Sequence, residues 1–405
     1  MAKAPVTRHR ITRRGLLAAA PLLLAGLHAP RPLRALDDDP MLQGFDDAVD
    51  DLFETFDHDI EQRFAAMDRA IAEAFAEMDR RLRRDWGEAA RLPERKVWVG
   101  YRRKRKSRVL VDYERGKITL EQQGTADETA LRGSLDQVLR AGTQDLDSMD
   151  IVARHLDREA RATAPKAIGD GKPGRQTEPP LEPQPDGELG ELVDKSRAPL
   201  VEQTRLRDAE GRSRDLGRIT VAMLPNHERL SAARVTPVAR HFGERYDVDL
   251  PLILAIMKNE SSFNPRAQSH IPAFGLMQLV PGSGGRDAFK LVEGQDRAPS
   301  PDYLFQPNRN IELGVAYLHI LDTRYLRAVR DEQSRRHCVI AAYNTGAGNV
   351  ARAFGGSTNV NSAARRINRL SPDAVYRHLV ANLPYRETRQ YLPKVVRDQE
   401  TFAAL

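Results

Sequence analysis

The stretch "DLPLILAIMKNESSFNP" (residues 249–265) puts a carboxylate where its own pattern asks for a hydrophobe. Ile253, Ile256 and Met257 form an apolar stripe at helical spacing, and Glu260 is the next position on it. Asp249 and Pro251 signal a helix start and Pro265 forces a stop, so Glu260 falls in the last turn. Loss of water on the core-facing side and the negative end of the helix dipole both favour its protonated form. A carboxylic acid that keeps its proton near neutral pH is what a general acid requires. The stripe alone fits better a glutamate that snorkels to solvent; its company tips the reading. "AFGLMQLVP" (273–281) offers Gly275 for close backbone approach, then Met277 and the Gln278 amide. "AAYNTGAGN" (341–349) offers Tyr343 and Asn344 at a helix end broken by Gly346, and "PYRETRQYLPKV" (384–395) adds Glu387 and Tyr391. Aromatic faces and neutral amides beside a carboxylic acid suit a carbohydrate, with its apolar ring face and rim of hydroxyls.

The elements that must position these residues divide the chain into two expected domains, 37–225 and 226–405, and the fold class reads as α+β. In the first, apolar residues from Phe53 through Ile60, Phe64, Met67, Ile71, Phe75 and Met78 to Leu82 recur at three- and four-residue spacing, which predicts one long amphipathic helix. "KVWVGY" (96–101), "SRVLVD" (107–112) and "KITLEQ" (117–122) read as a small antiparallel sheet, and "RITVAML" (218–224) as a further strand. Between Ala160 and Glu191 a Pro- and Gly-rich composition predicts a flexible insertion. The second domain reads as mainly helical.

Charge directs attention away from nucleic acid. The 405 residues carry a formal charge of +6, but residues 1–35 hold Lys3, Arg8, Arg10, Arg13, Arg14, Arg31 and Arg34 and no acid. Without them 56 basic residues face 57 acidic ones, a net charge of −1. That leader, with paired Arg13-Arg14 before an apolar run from Gly15 to Leu27, looks like a twin-arginine export signal too short to span a bilayer. The destination expected is the periplasm, with no transmembrane segment and no lipid anchor. Segment 102–108 concentrates Arg102, Arg103, Lys104, Arg105, Lys106 and Arg108. It reads first as a solvated hairpin end and second as a peripheral contact for an anionic polymer or lipid headgroups; no aromatic run interleaves with it as nucleic acid would want. The single cysteine, Cys338, excludes an internal disulfide and reads as a buried core residue. No metal or other cofactor is implied, the histidines showing no ligand spacing; Glu312 reads as a helix-dipole partner.

The segments "NESSFNP", "GLMQLVP", "LFQPNRNIELGVAYL", "AAYNTGAGNV" and "ETRQYLPKV" resemble, in order and spacing, the soluble-lytic-transglycosylase catalytic domain, a lysozyme-like helical fold that cleaves peptidoglycan. "VWVGYRRKRKSRVLVDYERGKITLE" and "ETALRGSLDQVL" resemble the amino-terminal domain of the membrane-bound lytic murein transglycosylase C family. The resemblance implies Glu260 as catalytic acid and base, with Ser261 its neighbour in the site. It implies Gly275, Met277 and Gln278 along the sugar cleft, Tyr343 and Asn344 on the sugar and its N-acetyl group, and Glu387 and Tyr391 as substrate contacts. The implied reaction cleaves the β-1,4 bond between N-acetylmuramic acid and N-acetylglucosamine, leaving a 1,6-anhydro end. A hydrolytic muramidase of the same fold and a non-catalytic wall-binding scaffold are the rival readings.

Overall fold

The computed structural model describes residues 66–124, 127–172, 187–269 and 272–403. The leader and the first part of the predicted long helix lie outside them. The described residues fall within one compact unit, and the sheet-bearing half and the helical half share a seam.

Helix α1 (66–86) is the described part of the predicted long helix. Its stripe of Met67, Ile71, Phe75, Met78 and Leu82 is buried, as the three-four spacing requires. The sheet follows in the antiparallel order β1-β2-β3-β6-β5, with β1 at Val97–Arg102, β2 at Ser107–Asp112, β3 at Lys117–Gln123, β5 at Leu200–Arg207 and β6 at Ser213–Ala222. The sequence reading missed β5. "LVEQTRLR" is polar and mostly exposed, because an edge strand buries little and so shows no apolar run. Helices α2 (Glu128–Leu139), α3 (Thr143–Met149) and α4 (Ile151–Thr163) follow β3, and α2 closes the apolar face of the sheet with Leu131, Leu135 and Val138.

Part of the stretch expected to be a flexible insertion is built structure. Ala160–Thr163 completes α4, and Ile168–Gly169 forms β4, which pairs in parallel with β7 (Ala298–Pro299) of the other half. Leu189 and Leu192 are buried. Composition reported the low hydrophobicity of this stretch but not its distant partner; residues 173–186 lie outside the described residues.

The helical half contains α5 (His227–Tyr246), α6 (Leu250–Ser261), α7 (Arg286–Glu293), α8 (Pro301–Phe305), α9 (Pro307–Ile320), α10 (Glu332–Thr345), α11 (Ala347–Gly355), α12 (Val360–Ile367), α13 (Pro372–Asn382) and α14 (Arg386–Phe402). α6 is the central helix: Leu252 to Met257 are all buried, and it packs on α5 and along α14. Cys338 is buried in this core, where desolvation pushes its thiol up to about 12. Among the described residues no helix is long and apolar enough to cross a membrane.

The basic segment is divided between surface and interior. Arg103, Lys104 and Arg105 form a left-handed turn with φ of 50°, 55° and 67°. With Arg81, Arg154 and Arg158 they border a cavity of about 490 Å³. Arg108, read from sequence as part of the exposed knot, is instead a core residue: it is 2% exposed, lies 4.0 Å over the Trp86 ring and bonds Glu121. Strand alternation puts its side chain on the sheet face opposite Val109 and Val111, where Trp86 covers it.

Candidate active site

Glu260 occupies the last turn of α6, 5% exposed. Ser262 (φ 51°) and Phe263 (φ 62°) then stop the helix with two left-handed residues. The segment after them docks on the sheet-bearing half. The Asn264 Nδ2 donates to Arg95 O at 3.2 Å, the Arg266 guanidinium meets Asp147 at 2.7 Å and Glu188 at 2.9 Å, and Gln268 Nε2 donates to Asp150 Oδ2 at 2.9 Å. The seam between the halves thus begins within a turn of the carboxyl group.

Burial pushes the Glu260 carboxyl up to about 7; Tyr391 and then Arg95 oppose this, Glu387 adds to it, and Lys96 opposes it. Desolvation dominates, so near neutral pH the group is poised between acid and carboxylate. The Arg95 Nη1 lies 3.7 Å from Glu260 Oε2, while Nη2 lies 3.1 Å from Glu387 Oε1. The Tyr391 hydroxyl is buried beside Glu260 and reaches no partner at full hydrogen-bonding geometry.

The remaining predicted residues converge on the same place through identifiable contacts. Ser261 is fully buried, and its hydroxyl donates within hydrogen-bond distance of Met257 O (3.0 Å) and Leu276 O (2.7 Å), tying α6 to the 275–278 turn. Gly275 has φ +75°, and a Cβ there would stand 2.3 Å from Asn310 Nδ2 and 2.4 Å from Leu304 O, so only glycine fits. The Met277 side chain is buried against Gly314, whereas its backbone faces the site: Met277 O accepts from the Tyr343 hydroxyl at 2.8 Å. Gln278 adopts φ 48°, with its Nε2 donating to Gly275 O (3.0 Å) and Ala267 O (3.2 Å). Tyr343 is partly buried at the end of α10 and tilts against Tyr317 with centroids 5.6 Å apart. Asn344 Oδ1 accepts from Thr388 Oγ1 at 2.7 Å, which fixes the α10 end to α14. On α14, Tyr391 faces inward and Glu387, one turn earlier, is exposed.

Sequence reasoning missed three supports. Asn310 is fully buried, accepts from Met277 N at 2.8 Å and donates to Phe274 O and Leu304 O at 2.8 and 2.9 Å, holding the whole turn. An amide among the apolar residues of "NIELGVAYL" was the available signal. Thr388 and Arg95 carried none. Glu312 requires a correction: it sits inside α9, fully buried, with Arg245 3.6 Å away, rather than acting as a partner of the helix dipole at the helix start. Among the described residues no three His, Cys, Asp or Glu side chains cluster as a metal site would require.

The transglycosylase SLT domain family matches residues 238–365. Membrane-bound lytic murein transglycosylase C of Sodalis glossinidius is 45% identical over 200 residues, covering 49% of this chain and 55% of the relative. The protein of that name from Cronobacter sakazakii is 35% identical over 312 residues, covering 76% of this chain and 82% of the relative. Among solved structures, an inactive mutant of lytic transglycosylase Slt from Pseudomonas aeruginosa matches 44% of this chain and 24% of its own at 25% identity, with a TM-score of 0.32 that establishes no common architecture by itself. With both halves covered by the Cronobacter relative, and the site residues gathered around one buried glutamate, the chain belongs to the membrane-bound lytic murein transglycosylase C family.

Proposed function

We propose that the protein is a lytic transglycosylase that cuts peptidoglycan glycan strands between N-acetylmuramic acid and N-acetylglucosamine and leaves a 1,6-anhydromuramic end. The observation that carries this reading is a single dry carboxyl group, Glu260, poised near neutral pH among Tyr343, Tyr391 and backbone held by amides. Glu260 gives its proton to the glycosidic oxygen as the bond from that oxygen to C1 breaks. The C6 hydroxyl of the same muramic residue then attacks C1, and the Glu260 carboxylate takes the hydroxyl proton, restoring the acid. The nucleophile is tethered to its target, so proximity replaces an activated water and one carboxyl group serves both steps.

The turn built by Gly275, Met277 and Gln278 forms one wall, with Ser261 and Asn310 positioning it from behind. Tyr343 and Asn344 hold the sugar and its N-acetyl group; Tyr391 and Glu387 contact substrate from α14. The site of action is the periplasm, reached through the leader at 1–35.

A hydrolytic muramidase has one observation on its side: Glu387, bridged to Glu260 by Arg95, supplies a second carboxylate that could serve a water. Mass spectrometry of digests of purified cell wall decides between them. Anhydro ends are lighter by one water than hydrolysed ends, and a digest with hydrolysed ends alone overturns the proposal.

A further inference from the structure

We propose that the sheet-bearing half contributes a positioning residue to the catalytic centre: Arg95, bridging Glu260 and Glu387, supplies the counter-charge for the carboxylate that Glu260 becomes after the first proton transfer. This rests on Glu260 being the acid and base of the proposed reaction.

The first step creates an anion in a nearly dry site, and an unpaired buried carboxylate is unfavourable. Of the charged and titratable groups acting on Glu260, Tyr391 and Glu387 come from α14 and Tyr343 from α10, while Arg95 and Lys96 come from the segment entering β1. The last two are the cations, and Lys96 is engaged with Glu114 at 2.6 Å. Arg95 alone of the two has an ion-pair contact with Glu260, at 3.7 Å. That distance is loose, and the guanidinium is closer to Glu387, at 3.1 Å. A cation held slightly off the acid leaves it protonated at rest, yet close enough to stabilise the charge once it forms. The Arg95 backbone is pinned by Asn264, four residues beyond Glu260, while its side chain is 40% exposed. The docking of the two halves therefore has a catalytic consequence: separating them would strip the anion of its counter-ion.

The test is the pH profile of turnover on purified cell wall. The protonated acid is lost as pH rises through its pKa, so the alkaline limb reports Glu260. In Arg95→Gln the limb moves to higher pH by roughly one pH unit, and kcat falls at least tenfold, because the carboxylate loses its partner; Arg95→Lys restores the limb. Glu387→Gln, at an exposed position, moves it the opposite way. A profile lowered uniformly in Arg95→Gln with its limb in place, or limbs that move in the same direction in both variants, overturns the proposal. Full activity in Glu260→Gln would instead sink the reading beneath it, so the two failures are separable.

Discussion

Two glutamates in this molecule are about equally buried and are held in opposite ways. Glu121, on β3, is 3% exposed and stands opposite Arg108 of β2 and Arg218 of β6 in the ladder. Their Nε atoms reach its two oxygens at 2.7 and 2.8 Å. Glu260 is 5% exposed and has one cation at 3.7 Å. The first is gripped by a buried Arg108 and a partly exposed Arg218 that also reaches Glu202; the second is an acid held at about 7 by desolvation. Near-equal burial thus goes with opposite surroundings: two cations in hydrogen-bond contact in the one case, and a single cation kept slightly out of reach in the other.

That contrast can be broken most severely at Glu260 itself. Glu260→Gln should keep the fold and lower turnover on purified cell wall by roughly a thousandfold, measured by release of soluble muropeptides; activity within tenfold of the wild type would remove Glu260 from the chemistry. At the other glutamate the loss should be of stability alone. Glu121→Ala leaves Arg108 buried without its carboxylate and should cost about 3–5 kcal/mol in urea unfolding, with turnover per folded molecule unchanged. Asn310→Ala tests the frame of the site: it orphans Met277 N and two carbonyls, for a loss of about 2–3 kcal/mol together with a raised KM.

The sign of the pH dependence sharpens the comparison further. The Glu260 pKa rises from 4.5 to about 7 on folding, so the native state binds the proton more tightly. Wild type should therefore lose stability relative to Glu260→Gln as pH rises from about 4.5 to about 7, with the gap constant above that range. The full difference is on the order of 3–4 kcal/mol, and denaturant unfolding of both proteins at the two ends of the window measures it; a gap that does not change with pH would contradict it. The smallest effect belongs to Tyr343→Phe, which removes the hydrogen bond to Met277 O and should cost about 1 kcal/mol, seen as a several-fold fall in kcat/KM.

Much of this was legible in short stretches of sequence. The stripe of α1, the first three strands and the end of α6 at Glu260 each follow from periodicity and stop signals that act locally along the chain. The proposed site segments, where Gly275, Gly346 and nearby polar side chains interrupt apolar runs, were weak signals one by one; their order and spacing carried the resemblance. What stayed hidden depended on partners distant along the chain. β4 exists by pairing with β7, Glu312 tolerates its burial beside Arg245, and Arg108 is drawn from a basic run into the core by Glu121 and Trp86. Nothing within "RLPERKVWVG" distinguishes Arg95 from its cationic neighbours.

The amino-acid order alone determined that a carboxyl group would end an apolar helix beside glycine-broken turns, since helix periodicity and termination act over a few residues. Only the tertiary structure decided how dry that group is and which charges reach it. Desolvation and Coulomb energies depend on distances between elements far apart in the chain, and the cation nearest the acid arrives from the other half of the molecule.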